Sequence, residues 1–213
     1  MVVVIHEIDA AIESFLTQEI LGTAGVEVSF DAPSKEWAQK RTSPMVNTYL
    51  YDIREDANRR QVGVYESRNE KGELIARTEP PRFFRLSYMI TAYASRPLDE
   101  HRLLSAILLA FLPHKVFPER YLTGAVAESA LPVLLEIGRG PVENRQISDV
   151  WTAFGGELKA SLDLVVTMPI PSDAKMVDTP LAESGVVLQA FGTTGQNSVA
   201  SHKKTDETGH DTR

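Results

Sequence analysis

The chain has 213 residues, with 22 basic and 29 acidic side chains, a formal net charge of −7 and no cysteine. The missing thiols exclude a disulfide framework, a cysteine nucleophile and a zinc ribbon, and the acidic balance disfavours a protein that coats nucleic acid. An apolar share of 43% is typical of a globular protein with a buried core.

The first residues favour a cytosolic protein. Met1–Ile5 is apolar, but acidic Glu7 and Asp9 follow almost at once, without a basic leader or a small-residue cleavage site. We therefore expect no signal peptide. Since no stretch approaches the roughly 18 uncharged apolar residues that span a bilayer, we also expect no direct membrane insertion.

The beginning of the chain predicts a helix and a short strand. Apolar residues recur there at helical spacing, at Ile5, Ile8, Ile12, Phe15 and Leu16. This periodicity predicts an amphipathic helix that begins near Ile5 and ends near Gly22. Apolar and polar residues then alternate over Val26–Phe30 before Pro33, which predicts a strand closed by a turn.

Two longer strands with a charged hairpin between them are predicted next. Met45–Ile53 carries apolar or aromatic groups on both faces, which favours an interior strand. Residues 54–79 are dense in charge and contain the turn Asn69–Gly72, so we expect an exposed hairpin that projects from the body. Phe84–Ala94 alternates most clearly and predicts a long strand.

The second half predicts another main helix and the remaining strands. An apolar stripe begins near Asp99 and stops at Pro113, which predicts a helix. Residues 113–145 are otherwise typical of loops, apart from a short strand at Val133–Ile137. Trp151–Phe154 predicts a brief helix, and Leu158–Met168 predicts a long, half-buried strand.

Together these elements predict an α/β (α+β) fold, a mixed, mostly antiparallel twisted sheet packed by two main helices. We interpret residues 1–170 as one compact domain. After Pro171 the pattern breaks down, with one short apolar segment at Val186–Phe191. A segment so poor in apolar residues cannot bury a core. We therefore expect 171–213 to be an extended arm, largely disordered in the free protein.

The sequence shows no constellation with an obvious catalytic role. None of the five histidines stands at metal-binding helical spacing to another, and the glycine-rich phosphate loops and the serine elbow of hydrolases are absent. Gly138–Pro141 comes nearest to a phosphate loop, but its proline removes an amide that such a loop needs. We expect no catalytic, cofactor-binding or metal-binding residue, no cofactor, and a protein that is not an enzyme.

Some polar residues leave alternatives open. Asp52, Glu55 and Asp56 form an acidic cluster suited to a cation or an acid–base pair, whereas the interleaved arginines favour a self-neutralised strand end. His101 is either a general base beside such a cluster or an exposed helix residue. Trp151 is either an interface anchor or part of the core.

Several segments occur in an order that matches a known family. They are Val26–Phe30, Asn47–Glu55, Pro80–Arg82, Leu86–Tyr93, Glu100–Leu104, Trp151–Gly155 and Ser161–Leu162. The ordered set covers most of residues 1–170. It resembles the N-terminal domain of the cap proteins of extracellular contractile injection systems, phage-tail-like particles such as the antifeeding prophage and the Photorhabdus virulence cassettes.

This resemblance implies a tail-terminator-like fold and role. Six copies would form a ring opposite the baseplate, where they end the inner tube and hold the last ring of the contractile sheath. The partners would be other copies of the chain (a homohexameric ring), the tube protein and the sheath protein. The chain would lie in the bacterial cytoplasm, assembled into the particle and released with it where the particle is released. The alternative is a baseplate or cargo adaptor of the same particle.

Two sets of residues are candidates for contacts in such a particle. The first, which we call the charged surface, consists of Arg54, Glu55, Arg59, Arg60, Arg82 and Arg85. Fixed charge of this kind steers the docking of one ring on another. The second is the apolar segment of the arm, with Val186, Val187, Leu188 and Phe191, because an extended peptide can add to the edge of a neighbouring sheet.

Overall fold

The computed structural model describes residues 4–22, 25–40, 43–72, 74–138, 151–155, 158–170 and 175–176. Its helices are α1 Ile5–Leu16, α2 Lys35–Gln39, α3 Pro97–Phe111 and α4 Gly124–Glu128. Its strands are β1 Glu27–Ser29, β2 Met45–Glu55, β3 Tyr65–Arg68, β4 Leu74–Thr78, β5 Arg82–Tyr93, β6 Leu134–Ile137, β7 Ser161–Ile170 and β8 Lys175–Met176. The chain divides after residue 176 into two units, and every described residue lies in the first.

Five strands form the main sheet, in the order β1-β2-β5-β7-β6. The short β1 runs parallel to β2, and the other neighbours are antiparallel. The predicted mixed, mostly antiparallel sheet is thereby confirmed, and β2 is an interior strand as its two apolar faces indicate. The long strand β5 lies at the centre of the sheet.

The charged region after β2 forms the predicted hairpin. β3 and β4 pair as an antiparallel ribbon, and β8 adds to the other edge of β4 as a third strand. Every residue of β3 is exposed to solvent. Lys175–Met176 falls within the range predicted as the arm, and its backbone pairs there with Ala76 and Arg77.

The two main helices cover one face of the sheet, which we call the helix face. Phe15 of α1 stacks on Phe111 of α3 with 4.4 Å between ring centroids, above Leu86 and Tyr88 of β5. The first helix continues as one π-helical turn, Thr17–Leu21, and ends at Gly22 as predicted. Because Gly22 has a φ of +46°, a conformation that glycine adopts easily, the chain can leave the helix there.

The opposite face, which we call the outer face, is also largely buried. Tyr93 of β5 packs edge-on against Trp37 of α2, with ring centroids 5.5 Å apart, and Tyr49 of β2 meets Phe154 in the same way at 5.0 Å. Trp151 is only 3% exposed, which supports its interpretation as a core residue. The sequence analysis missed α2, a five-residue helix that begins after Ser34, whose hydroxyl accepts from the Trp37 N–H at 3.2 Å.

Residues 113–145, predicted as loops apart from one strand, also contain the short helix α4. Its first amides donate to a distant carboxylate, from Ala125 N–H to Glu7 Oε1 at 3.2 Å and from Val126 N–H to Glu7 Oε2 at 2.9 Å. Gly124 has a φ of +60°, and a Cβ at this position would overlap the Glu7 carboxylate. Glycine is therefore favoured here for two reasons: its backbone conformation, and the close approach of Glu7, whose carboxylate a Cβ would displace.

We expect Gly124→Ala to destabilise the fold by roughly 2–4 kcal/mol, because backbone strain adds to the loss of two charge-assisted hydrogen bonds. The matched control is Gly155→Ala, since Gly155 has a φ of +62° with open space around its missing side chain. It should cost only the strain, about 1–2 kcal/mol. Urea unfolding measures both, and equal losses would show that Glu7 contributes nothing.

Candidate interaction surface

Most of the charged surface lies where β2 ends and β5 begins. Arg54 stands opposite Arg85 in the strand register, and Glu55 stands opposite Phe84. The chain stays close to β5 just beyond β2, because the Asp56 N–H donates to the Phe83 carbonyl at 2.8 Å. The register therefore brings the predicted residues to one end of the sheet.

The register also divides the charged surface between the two faces. Alternate residues of a strand point to opposite faces, and Leu86 of β5 belongs to the core under the helices. Arg82 therefore lies on the helix face, whereas Arg85 lies on the outer face. A bulge between Leu50 and Asp52 shifts the alternation of β2, which places Arg54 on the outer face beside Arg85.

On the helix face, Arg82 and Glu55 form a bidentate ion pair. Arg82 Nε donates to Glu55 Oε1 at 2.9 Å and Nη2 donates to Oε2 at 2.5 Å. The hydrogen bond from Arg82 lowers the pKa of Glu55 below its ordinary value, and Arg60, with Nε 3.8 Å from Oε1, acts in the same direction. Glu55 therefore balances one of these two guanidinium groups, and both of its oxygens are already bound by Arg82.

Arg54 and Arg59 also have acidic partners. Arg54 Nε is 2.8 Å from Asp52 Oδ2, and Arg59 Nε is 3.7 Å from Asp56 Oδ2. The Arg59 guanidinium also lies 5.1 Å from the ring centroid of Phe83. Of the arginines predicted for the surface, Arg85 differs from the rest, because no carboxylate of the described residues pairs with it.

The acidic cluster follows the self-neutralised interpretation rather than the catalytic one. Asp52, Glu55 and Asp56 each contact an arginine. His101 is exposed on α3, which begins beyond the opposite end of β5, so the structure does not bring it to the cluster. Within the described ranges, no group of three metal-ligating side chains is placed to hold an ion.

Two tyrosine–carboxylate pairs, one on each face of the main sheet, were not found from the sequence. On the helix face, the fully buried Tyr88 donates its hydroxyl to Asp9 Oδ1 of α1 at 2.7 Å. On the outer face, Tyr51 donates to Asp163 Oδ1 of β7 at 3.1 Å. Neither pair is visible in the sequence, because the partners are separated by 79 and 112 residues.

Burial dominates the electrostatics of both pairs. Loss of solvation raises the pKa of Asp9 and of Asp163, and the tyrosine hydroxyls oppose this only in part. Burial beside Asp163 raises the pKa of Tyr51 to about 12, and the pKa of Tyr88 is raised as well. The hydroxyl is therefore the donor in each pair at neutral pH.

A polar cleft of about 370 Å³ lies beside Tyr93. Lys159 Nζ is 2.6 Å from Glu100 Oε1 and 4.5 Å from the centroid of the Tyr93 ring. Glu100 also accepts from the Ala94 N–H at 3.1 Å, which fixes the start of α3 to the end of β5. The two charges in the cleft neutralise each other, and their contacts join three elements of the fold.

The arm segment with Val186, Val187, Leu188 and Phe191 lies outside the described residues, as does most of Gly138–Pro141. Across the described part of the chain, no helix combines the length and the apolar character needed to cross a membrane. The surface that the structure does define consists of sheet edges and a divided set of charges.

Comparison with known proteins identifies the class to which this fold belongs. The chain belongs to the Pvc16 N-terminal domain family, whose model matches residues 7–183. It is similar to the sheath/tube terminator of an extracellular contractile injection system, PVC, in its extended state, with 20% identity over 89% of this chain and a TM-score of 0.60. It is also similar to the tube-terminating cap of the anti-feeding prophage, with 20% identity over 85% of this chain and a TM-score of 0.57.

These comparisons confirm the family that the ordered segments resemble and show the same fold. The chain spans 64% and 60% of the lengths of the two solved proteins. None of the curated proteins matches it.

Asp163 should give the fold a measurable pH dependence. Because its folded pKa is raised, the stability it contributes is fully present below the ordinary value of 3.8 and is lost as the pH rises through the raised value. Asp163→Asn keeps an acceptor for Tyr51 without the charge. We expect the variant to lose this pH dependence and to be at least as stable as the wild type at pH 7. Urea midpoints at a series of pH values measure this, and parallel curves for the two proteins would contradict it.

Proposed function

We propose that this chain is the tail terminator of a phage-tail-like contractile injection particle. The observation that carries the proposal is the match of its fold to terminators of two such particles, together with membership of the Pvc16 N-terminal domain family. Six copies form a ring on the end of the particle far from the baseplate. The ring stops growth of the inner tube and anchors the last ring of the sheath.

The arrangement of the strands is suited to this role. β1 is an outer strand of the main sheet and β3 is an outer strand of the hairpin sheet, whereas the other outer strand of the main sheet, β6, already pairs with residues 115–117. Outer strands carry backbone groups that pair with a strand from another chain. The role requires surfaces and edges rather than reacting groups, so we propose a structural protein and not an enzyme, assembled into the particle in the bacterial cytoplasm.

Deletion of the gene tests the proposal directly. Electron microscopy of particles from the deletion strain should show overlong, uncapped or missing tubes, because nothing then ends tube polymerisation. A plasmid that supplies the wild-type chain should restore tube length and a closed end. Normal, capped particles in the deletion strain would contradict the proposal. Capped particles with a defect at the baseplate end would instead support the alternative role as a baseplate or cargo adaptor.

We further propose that the arm beyond residue 176 contacts a neighbouring subunit through Val186–Phe191. The sequence supports this, because six mainly apolar residues stand in an otherwise polar stretch and suit addition to a sheet edge. The residues that we expect to make this contact are Val186, Val187, Leu188 and Phe191.

Limited proteolysis tests the arm. Chymotrypsin should cut after Leu188 or Phe191 in the free protein and spare both bonds in the assembled particle, as intact-mass measurement of the chain will show. The double variant Val187→Asp, Leu188→Asp serves as the control, because it should remain sensitive in the particle. Equal protection of the wild-type arm in both states would contradict this contact.

A further inference from the structure

We propose that Arg85 anchors the contact between neighbouring copies of this chain by binding an aspartate or glutamate carboxylate of the second copy. This inference rests on the proposed function, since it assigns one residue to the interface of the ring. It differs from the sequence-based prediction, which treated six charged residues as one surface. The structure separates Arg85 from the others by its face and by its lack of an acidic partner.

The first observation is the pairing of the arginines. Ten arginines lie in the described part of the chain, and nine of them are within 4 Å of a carboxylate oxygen. The nine are Arg54, Arg59, Arg60, Arg68, Arg77, Arg82, Arg96, Arg102 and Arg120. Arg85 is the exception among these described residues. The nine share six carboxylates, whereas no carboxylate of the described residues contacts Arg85.

The second observation is the position of Arg85 in the sheet. It is partly buried in the central strand, with Arg54 directly opposite on β2 and Thr167 directly opposite on β7. Like charges that face each other across two strands destabilise a sheet. Arg54 is compensated by Asp52, whereas Arg85 receives nothing equivalent from either neighbouring strand.

A carboxylate from outside the chain removes this imbalance. The planar guanidinium of arginine binds a carboxylate through two parallel hydrogen bonds, a geometry that fixes orientation as well as contributing affinity. The contact is strengthened because Arg85 is partly shielded from water and is fixed in the middle of a sheet rather than on a mobile loop.

Charge complementarity indicates a second copy as the source of the carboxylate. The chain has a formal net charge of −7, so its own surface offers more carboxylates than cations. A second copy that approaches the outer face near the start of β5 meets the positive charge of Arg85, which no described carboxylate of its own chain contacts. This local attraction opposes the general repulsion between acidic subunits and favours one relative orientation of them.

Neutralisation of Arg85 tests the contact, with Arg82 as the matched control. Both residues lie on β5 three positions apart, but Arg82 is on the other face and already holds Glu55. In the deletion strain, Arg85→Gln should lower the ratio of capped to uncapped particles about tenfold or more, the effect of losing one charge-assisted contact. Arg82→Gln should cap normally, and Arg85→Lys should restore part of the capping. Thermal unfolding of the purified variants should show that all three remain folded.

Site-specific crosslinking identifies what lies against Arg85. The chain has no cysteine, so Ser87→Cys, two residues along the same face, takes a maleimide photo-crosslinker at one place while Arg85 stays intact. Irradiated particles should yield a product of twice the mass of the chain. A product with another subunit, or no product, would overturn the proposal, as would normal capping by Arg85→Gln. If the wild-type chain itself fails to restore caps, the proposed function is wrong, and the crosslink still reports whether two copies meet at this face.

Discussion

The structure depends on the pairing of β5 with β2 on one side and β7 on the other. This strand has its backbone groups satisfied by those two neighbours, and residues on both of its faces are buried, among them Tyr88 on one and Met89 on the other. A sheet that is apolar on two sides needs a covering layer on each. The main helices supply one layer, and α2 with the segment around Trp151 supplies the other.

Burial on both sides also explains where the ionisable groups lie. On each face a tyrosine of the main sheet donates its hydroxyl to a carboxylate, Tyr88 to Asp9 and Tyr51 to Asp163. These pairs satisfy buried hydrogen-bonding groups at the cost of a raised pKa for each carboxyl. The arginines of the charged surface lie instead at the end of the sheet where β2 ends and β5 begins, and each of them is at least partly exposed to solvent.

The sequence was sufficient to predict the long periodic elements, because each carries its own repeating pattern. It did not reveal α2 or α4, since a five-residue helix shows too little periodicity and α4 is fixed by Glu7, more than a hundred residues away. The charged surface was predicted as one patch for a similar reason. Alternation along β5 separates Arg82 from Arg85, but which of the two shares a face with Arg54 depends on the bulge in β2, and a bulge becomes visible only when two strands are aligned.

The division of the charged surface between two faces changes which of its residues are available to bind a partner. A bidentate pair such as Arg82 with Glu55 has satisfied its hydrogen bonds already, so a partner that binds either member must first replace a contact of equal quality. Such pairs shape the surface but add little to association. For the contact between copies proposed above, the groups that matter are those left uncompensated among the described residues, which include the outer edges of β1 and β3 and the guanidinium of Arg85. Backbone edges can pair with any extended strand. The Arg85 guanidinium instead selects one relative position of the two copies, because a single charge in a fixed strand is paired at only one position.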